Sequence, residues 1–149
     1  MTISALQYLN STGVLIGSRR FGLYILTSDY DYVLKNTDKQ AVEAFFHKKH
    51  IQITHGEDYV DQPLASLKTK PIPMLNTSLI KFDHDIKRFH LLFYPINYYN
   101  CFVEINHLMT RLVSYNRKPF TDKTTRISVY NRLMMSVFAS RGLSVPSLT

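Results

Sequence analysis

The apolar positions of this chain change rhythm along its length. Short β-branched or alternating runs dominate before residue 97, and helical spacing takes over after it. Residues up to Asn10 read as a short helix that Gly13 breaks. VLI at 14–16 is an apolar run suited to a buried strand, and a second strand is predicted from Tyr30 to Lys35. Thr37 is the expected N-cap of a helix running to about Lys49, with Val42, Phe45 and Phe46 on its inner face. Residues 51–54 look extended, and runs at 79–82 and 88–94 flank DHDIK as a hairpin. Between them, PLASLKTKPIPML at 63–75 reads as a loop, because Pro63, Pro71 and Pro73 block regular structure. Phe102, Ile105, Met109 and Leu112 then recur at helical spacing, as do Ile127, Tyr130, Met134, Val137 and Phe138. Thr121 or Asp122 would cap the last helix and Gly142 would end it. The plan is α+β: a mixed β-sheet with flanking helices in residues 1–96 and a helical part in residues 97–149, within one domain.

Composition narrows this picture. Hydrophobic residues at 45% and charged residues at 19% exclude a disordered chain. No apolar run reaches the roughly 18 residues that a membrane helix needs. The opening MTISALQYLNSTG has neither a basic segment nor a small-residue cleavage site, so no secretory signal is expected. A single cysteine, Cys101, cannot form an internal disulfide and fits a reducing cytoplasm, the expected location. The net charge of +7 is uneven. Residues 1–100 carry 11 Lys/Arg against 9 Asp/Glu, whereas residues 101–149 carry 7 against 2. A basic C-terminal third attracts polyanions, whether triphosphates, nucleic acid or an acidic protein face; a solvated basic helix surface is the plainer reading.

The chemistry concentrates in VLIGSRRFGLYILTSDYDYVL. Gly17 and Ser18 follow the first strand, and ten residues later Asp29 and Asp31 open the second. Gly17 lets backbone approach a phosphate, because it lacks a Cβ. Ser18 offers a hydroxyl and an N–H, and a helix starting just after it would turn unpaired N–H groups toward an anion. Arg19 and Arg20 stand beside it as candidate phosphate partners. Asp29 and Asp31, two apart on a strand, present both carboxylates to one face while Tyr30 and Tyr32 face the other. Converging hard oxygens suit Mg²⁺, which takes one or two carboxylates and fills its shell with substrate phosphate and water. An ordinary strand–turn–strand is the bland alternative, and Asp31 tells against it, since a charge in DYDYVL has no core role.

This segment resembles the minimal nucleotidyltransferases of the polymerase-beta-like superfamily, whose pattern is GS, ten residues, then DxD; the matching positions are Gly17, Ser18, Asp29 and Asp31. The C-terminal NHLMTRLVSYNRKPFTDKTTRISVYNRL looks like the tail of small stand-alone members found in bacteriophages and prokaryotes, where an Asp-Lys-x-x-Arg patch, here Asp122, Lys123 and Arg126, precedes the final helix. The resemblance implies transfer of a nucleoside monophosphate from a nucleoside triphosphate to an acceptor hydroxyl, of RNA or of a protein, in the cytoplasm (the host's, for a phage-encoded chain). Asp29 and Asp31 would be catalytic and hold Mg²⁺. Gly17, Ser18, Arg19, Lys123 and Arg126 would bind nucleotide or offset acceptor charge. Active members carry a third carboxylate on a later strand. The aligned position in RFHLLFY is His90, with Asp83 and Asp85 nearby as substitutes. The alternative function is therefore a catalytically weak or inactive domain kept as a binding module, antitoxin-like or a phage factor engaging a host protein or nucleic acid.

Other candidates yield to plainer readings. His47 and His50 beside Lys48 and Lys49 read as a solvated helix end, and Cys101 as a buried structural thiol. Tyr94, Tyr98, Tyr99, Tyr115 and Tyr130 lie among basic residues, where aromatic faces could stack bases but more commonly pack. Arg111, Arg117, Lys118, Lys123, Arg126 and Arg132 are the candidates for phosphate contact.

Overall fold

The computed structural model describes residues 3–24, 28–56, 78–84 and 87–143. Ser4 and Gln7 open helix α1 (Ala5–Thr12) with a reciprocal capping box, which satisfies two backbone donors that the first turn leaves free. Strand β1 (Val14–Ile16) follows at once, then the short helix α2 (Gly17–Phe21), which closes on Gly22 in the left-handed conformation. Strand β2 (Tyr30–Lys35) runs into a 3₁₀ turn (Asn36–Asp38) and helix α3 (Lys39–Lys48). The N-cap position of α3 is taken by Asp38, whose side chain makes no capping bond, and the expected cap Thr37 lies one residue earlier, within the turn. Strand β3 is confined to Thr54–Gly56, so of the stretch expected to be extended only Thr54 joins the sheet. The expected hairpin is present as β4 (Ser78–His84) and β5 (Lys87–Tyr94). Helices α4 (Ile96–Tyr115) and α5 (Lys123–Ser140) follow, joined by a 3₁₀ turn at Lys118–Thr121. The proline-rich loop at 63–75 lies outside the described residues, as does Asp85.

The five strands form one mixed sheet in the order β1-β2-β5-β4-β3. Among the described strands β2 and β5 run parallel, and the other neighbours are antiparallel. Period-two alternation divides the side chains between two cores. On one face Ile16, Val33, Leu92 and Tyr94 pack under α2, α4 and α5, against Phe21, Phe102, Ile105, Met109 and Phe138. On the other, Tyr32, Leu34, Ile80, Phe82, Phe89, Leu91 and Phe93 meet Ala5 and Leu9 of α1 and Val42 and Phe46 of α3. A sheet with helices on both faces follows, an α+β fold in which the helical third shares the core of the sheet. Leu112, expected inward, is 40% exposed, and Val113 takes its place in the core. Asn106 of α4 donates from Nδ2 to the Leu15 carbonyl at 3.0 Å, which pins this helix to the edge strand β1. No helix among the described residues is long and apolar enough to cross a membrane.

Candidate metal centre

Strand pairing assembles the site. Asp31 of β2 is flanked by Ile16 of antiparallel β1 and by His90 of parallel β5. Alternation sends Asp31 to the same face as Val33, and His90 to the same face as Leu92 and Tyr94, so carboxylate and imidazole meet side by side. His90 Nδ1 lies 3.0 Å from Asp31 Oδ1 and 3.7 Å from Asp29 Oδ2. One ligand atom from each of Asp29, Asp31 and His90 can be chosen so that all lie within 4.8 Å of one another, a set able to hold a metal ion. Exposure rises across the trio, from 9% for the His90 side chain through 18% for Asp31 to 35% for Asp29. The centre is anchored on the imidazole and opens to solvent at Asp29.

The first residue of α2, Gly17, packs against this centre. Gly17 has φ +73°, a left-handed conformation that costs a side-chain-bearing residue strain. A Cβ there would also stand 3.0 Å from Asp31 Oδ2. Glycine is thus required twice over, once by its dihedral and once by the carboxylate against it. Ser18 is half-buried in the first turn of α2.

Aromatic packing on the opposite face locks the register. The pair Tyr30–Phe89 adjoins Asp31–His90 in the parallel ladder, with ring centroids 5.1 Å apart. Phe89 stacks on Phe82 at 4.7 Å, and Phe82 meets Phe46 of α3 at 4.5 Å. Each such pair contributes about 0.5–1.5 kcal/mol beyond its burial. A one-residue slip of either strand would break this column and turn its own member of the Asp31–His90 pair to the wrong face.

Arg19 belongs to this scaffold. Its guanidinium lies between the rings of Tyr24 and Tyr30, 4.3 and 4.4 Å from their centroids. It donates from Nη2 to the Ser28 carbonyl at 3.1 Å. Those contacts fix the backbone just before Asp29, a positioning role that the sequence does not announce. Arg20 is exposed and, with Arg117, Phe21, Thr110, Val113 and Ser114, lines a cleft of about 310 Å³ between α2 and α4. Arg117 donates to the Gly22 carbonyl and so ties the end of α2 to the segment after α4.

The remaining expected site residues divide. Asp83 forms an exposed ion pair with Arg88 at 3.3 Å and is not part of the trio, leaving His90 as the later-strand residue beside the aspartates. Arg126 donates to the Phe120 carbonyl at 3.2 Å, while Lys123 is exposed in the first turn of α5. Neither makes a contact with Asp29 or Asp31 among the described residues. Tyr94, Tyr98 and Tyr130 are buried core rings, which removes them as base-stacking platforms; Tyr115 is 92% exposed.

No family model matches this chain, and no curated protein or solved structure matches it either.

Proposed function

We propose that this chain is a metal-dependent nucleotidyltransferase that moves a nucleoside monophosphate from a nucleoside triphosphate to an acceptor hydroxyl. The observation that carries the reading is the packing of Gly17, from the glycine–serine turn, directly against the carboxylate of Asp31, with Asp29 beside it on the open side. A phosphate seated on the Gly17–Ser18 backbone would therefore lie next to two carboxylates. Those two oxygen donors suit Mg²⁺, which commonly takes one or two carboxylates and leaves the rest of its shell to phosphate and water. When bound, the ion supplies charge neutralisation for the triphosphate.

In the reaction, an acceptor oxygen attacks the α-phosphorus. The bond to the bridging oxygen of pyrophosphate breaks, and the hydroxyl proton leaves to solvent or to a base. Residues of this chain contribute mainly positioning and electrostatics, which dominate such transfers. The turn at Gly17–Ser18 orients the phosphates, and Arg19 holds the Asp29 backbone in place. Lys123, exposed and basic, is assigned to the acceptor. Arg126, bonded to the Phe120 carbonyl, supports the turn that presents it. RNA and protein hydroxyls are both admissible acceptors.

One observation favours a second reading. The third member of the trio is an imidazole where active members of the resembled superfamily carry an acid, which suits a binding module that keeps the nucleotide and lacks the chemistry. Calorimetry with ATP, with and without Mg²⁺, tests the shared part: binding should strengthen with Mg²⁺ and vanish in Asp29→Ala/Asp31→Ala. Absence of binding at millimolar triphosphate would sink both readings. Incubation with labelled triphosphates, RNA and cell lysate separates them, since only the enzyme labels an acceptor.

A further inference from the structure

We infer that this centre selects a first-row transition-metal dication over Mg²⁺, with Nδ1 of His90 as a direct ligand. The inference rests on the reading that Asp29 and Asp31 hold a metal, but it requires neither triphosphate nor turnover.

The geometry comes first. Adjacent ligands on an octahedral shell with bonds of about 2.1 Å stand roughly 3 Å apart. Nδ1 of His90 lies 3.0 Å from Asp31 Oδ1, a hydrogen-bond distance that is also the spacing of adjacent ligands; its 3.7 Å from Asp29 Oδ2 is wider, so Asp29, the most exposed of the three, must move inward to share one ion. The imidazole is held there. His90 is only 7% exposed, sits mid-strand in β5, and is flanked by Phe89 and Leu91, which are buried in the opposite core. Removing it from the trio would require repacking the strand.

A general-base role for this ring fits less well. Such a base must reach the acceptor hydroxyl, whereas His90 is the most buried member of the trio and directs Nδ1 toward both carboxylates.

Ligand chemistry then sets the preference. Mg²⁺ favours oxygen donors and gives up water reluctantly, so exchanging a third carboxylate for imidazole removes both an anionic charge and a matching atom. Imidazole suits transition metals, and carboxylates accept Mn²⁺ as readily as Mg²⁺. Mn²⁺ is the weakest binder of the first-row series. If it outcompetes Mg²⁺ here, the later ions of the series should do so as well.

The test titrates the full-length protein with Mn²⁺, followed by electron paramagnetic resonance, and repeats the titration in competition with Mg²⁺. Mn²⁺ should bind at least about ten-fold more tightly than Mg²⁺, and His90→Ala should cost Mn²⁺ at least about ten-fold, since even partners one shell removed from a metal are worth 10–100-fold. His90→Asp should raise Mg²⁺ affinity and close the gap. Pulsed measurements on the unmodified protein should reveal coupling to an imidazole nitrogen, a readout independent of how the variants fold. Equal affinity for the two ions, or Mn²⁺ bound without nitrogen coupling, would overturn the selection and leave the nucleotidyltransferase reading standing. Failure of both ions to bind, or binding unchanged in Asp29→Ala/Asp31→Ala, would bring down the metal centre and both proposals with it.

Discussion

Cys101 sits on α4 fully enclosed beside Phe102 and Ile105, and burial pushes its thiol pKa above the ordinary value. The Arg141 cation opposes that shift and Glu104 adds to it, so desolvation prevails. The thiolate is the reactive form. Iodoacetamide at neutral pH should therefore leave Cys101 unmodified in the native protein and alkylate it in urea; rapid native labelling, read by mass spectrometry, would contradict this burial. His90 is nearly as enclosed, yet its ring contacts two carboxylates rather than a hydrophobic shell. The contrast explains what was legible residue by residue. Asp31 stands out in the sequence because a charge on an apolar strand lacks a packing role, and Asp29, which the structure places just ahead of β2 and not on it, stands out by its spacing from Asp31. His90 is legible only through the resemblance, as the residue of RFHLLFY at a position where an acid is expected. The scaffold role of Arg19 was not legible, because its neighbours Tyr24, Ser28 and Tyr30 come together only when the chain folds back.

Helix ends and strand registers show the same division at the next scale. Asp122 caps α5, accepting from the Thr125 backbone N–H at 2.9 Å and from its hydroxyl at 2.8 Å. The backbone bond first, and the hydroxyl bond after it, hold the carboxyl below its ordinary pKa. A depressed folded-state pKa gives stability that is complete above the unfolded-state value, near 3.9, and is lost as pH falls through the folded-state value. Asp122→Ala should accordingly lower the melting temperature at pH 7, and the gap from the parent protein should shrink as pH drops below about 4. A gap that stays constant down to pH 2.5 in circular dichroism melts would show that the charge of the cap contributes nothing. This cap was visible in the sequence, and so was Gly142, which with Leu143 closes α5 by bonds to Ala139 and Phe138. The N-cap position of α3 was not, because a 3₁₀ turn containing Thr37 intervenes before the helix. Spacing also left the last inward residue of α4 ambiguous. Leu112 and Val113 lie three and four residues after Met109, both compatible with one helical face, and packing against the sheet chose Val113. The strands were legible because period-two alternation separates two cores that each need an apolar lining. Their order was not, since the parallel pairing of β2 with β5 joins residues nearly sixty positions apart.

For the molecule as a whole, charge is the feature that the fold organises into a surface. The basic third builds α4, the 3₁₀ turn and α5, and its apolar stripe is consumed by the sheet, so its cations face outward. They are not equivalent. Arg117 is bonded to the Gly22 carbonyl, Arg126 to that of Phe120, and Arg141 to the Glu104 carboxylate, so these three contribute to structure. Arg111, Lys118, Lys123 and Arg132 are exposed and form no ion pair among the described residues. If the acceptor is RNA, these four are the cations that can engage its phosphates without disturbing the fold. Affinity for single-stranded RNA should then fall linearly with salt on logarithmic axes, with a slope of about 0.7 per phosphate engaged. Replacing the four with alanine should flatten that slope by up to about 0.7 for each phosphate no longer neutralised, uniformly across RNA sequences, while the melting temperature holds. Replacing Arg126 should instead lower the melting temperature, because it leaves the part-buried Phe120 carbonyl without its donor, whereas the exposed Gly22 carbonyl can turn to water when Arg117 is replaced. Fluorescence anisotropy across a salt series, paired with thermal melts of the same variants, separates the two classes. An unchanged slope in the fourfold variant would remove this surface from acceptor binding. Absence of RNA binding at low salt would direct the search to a protein hydroxyl.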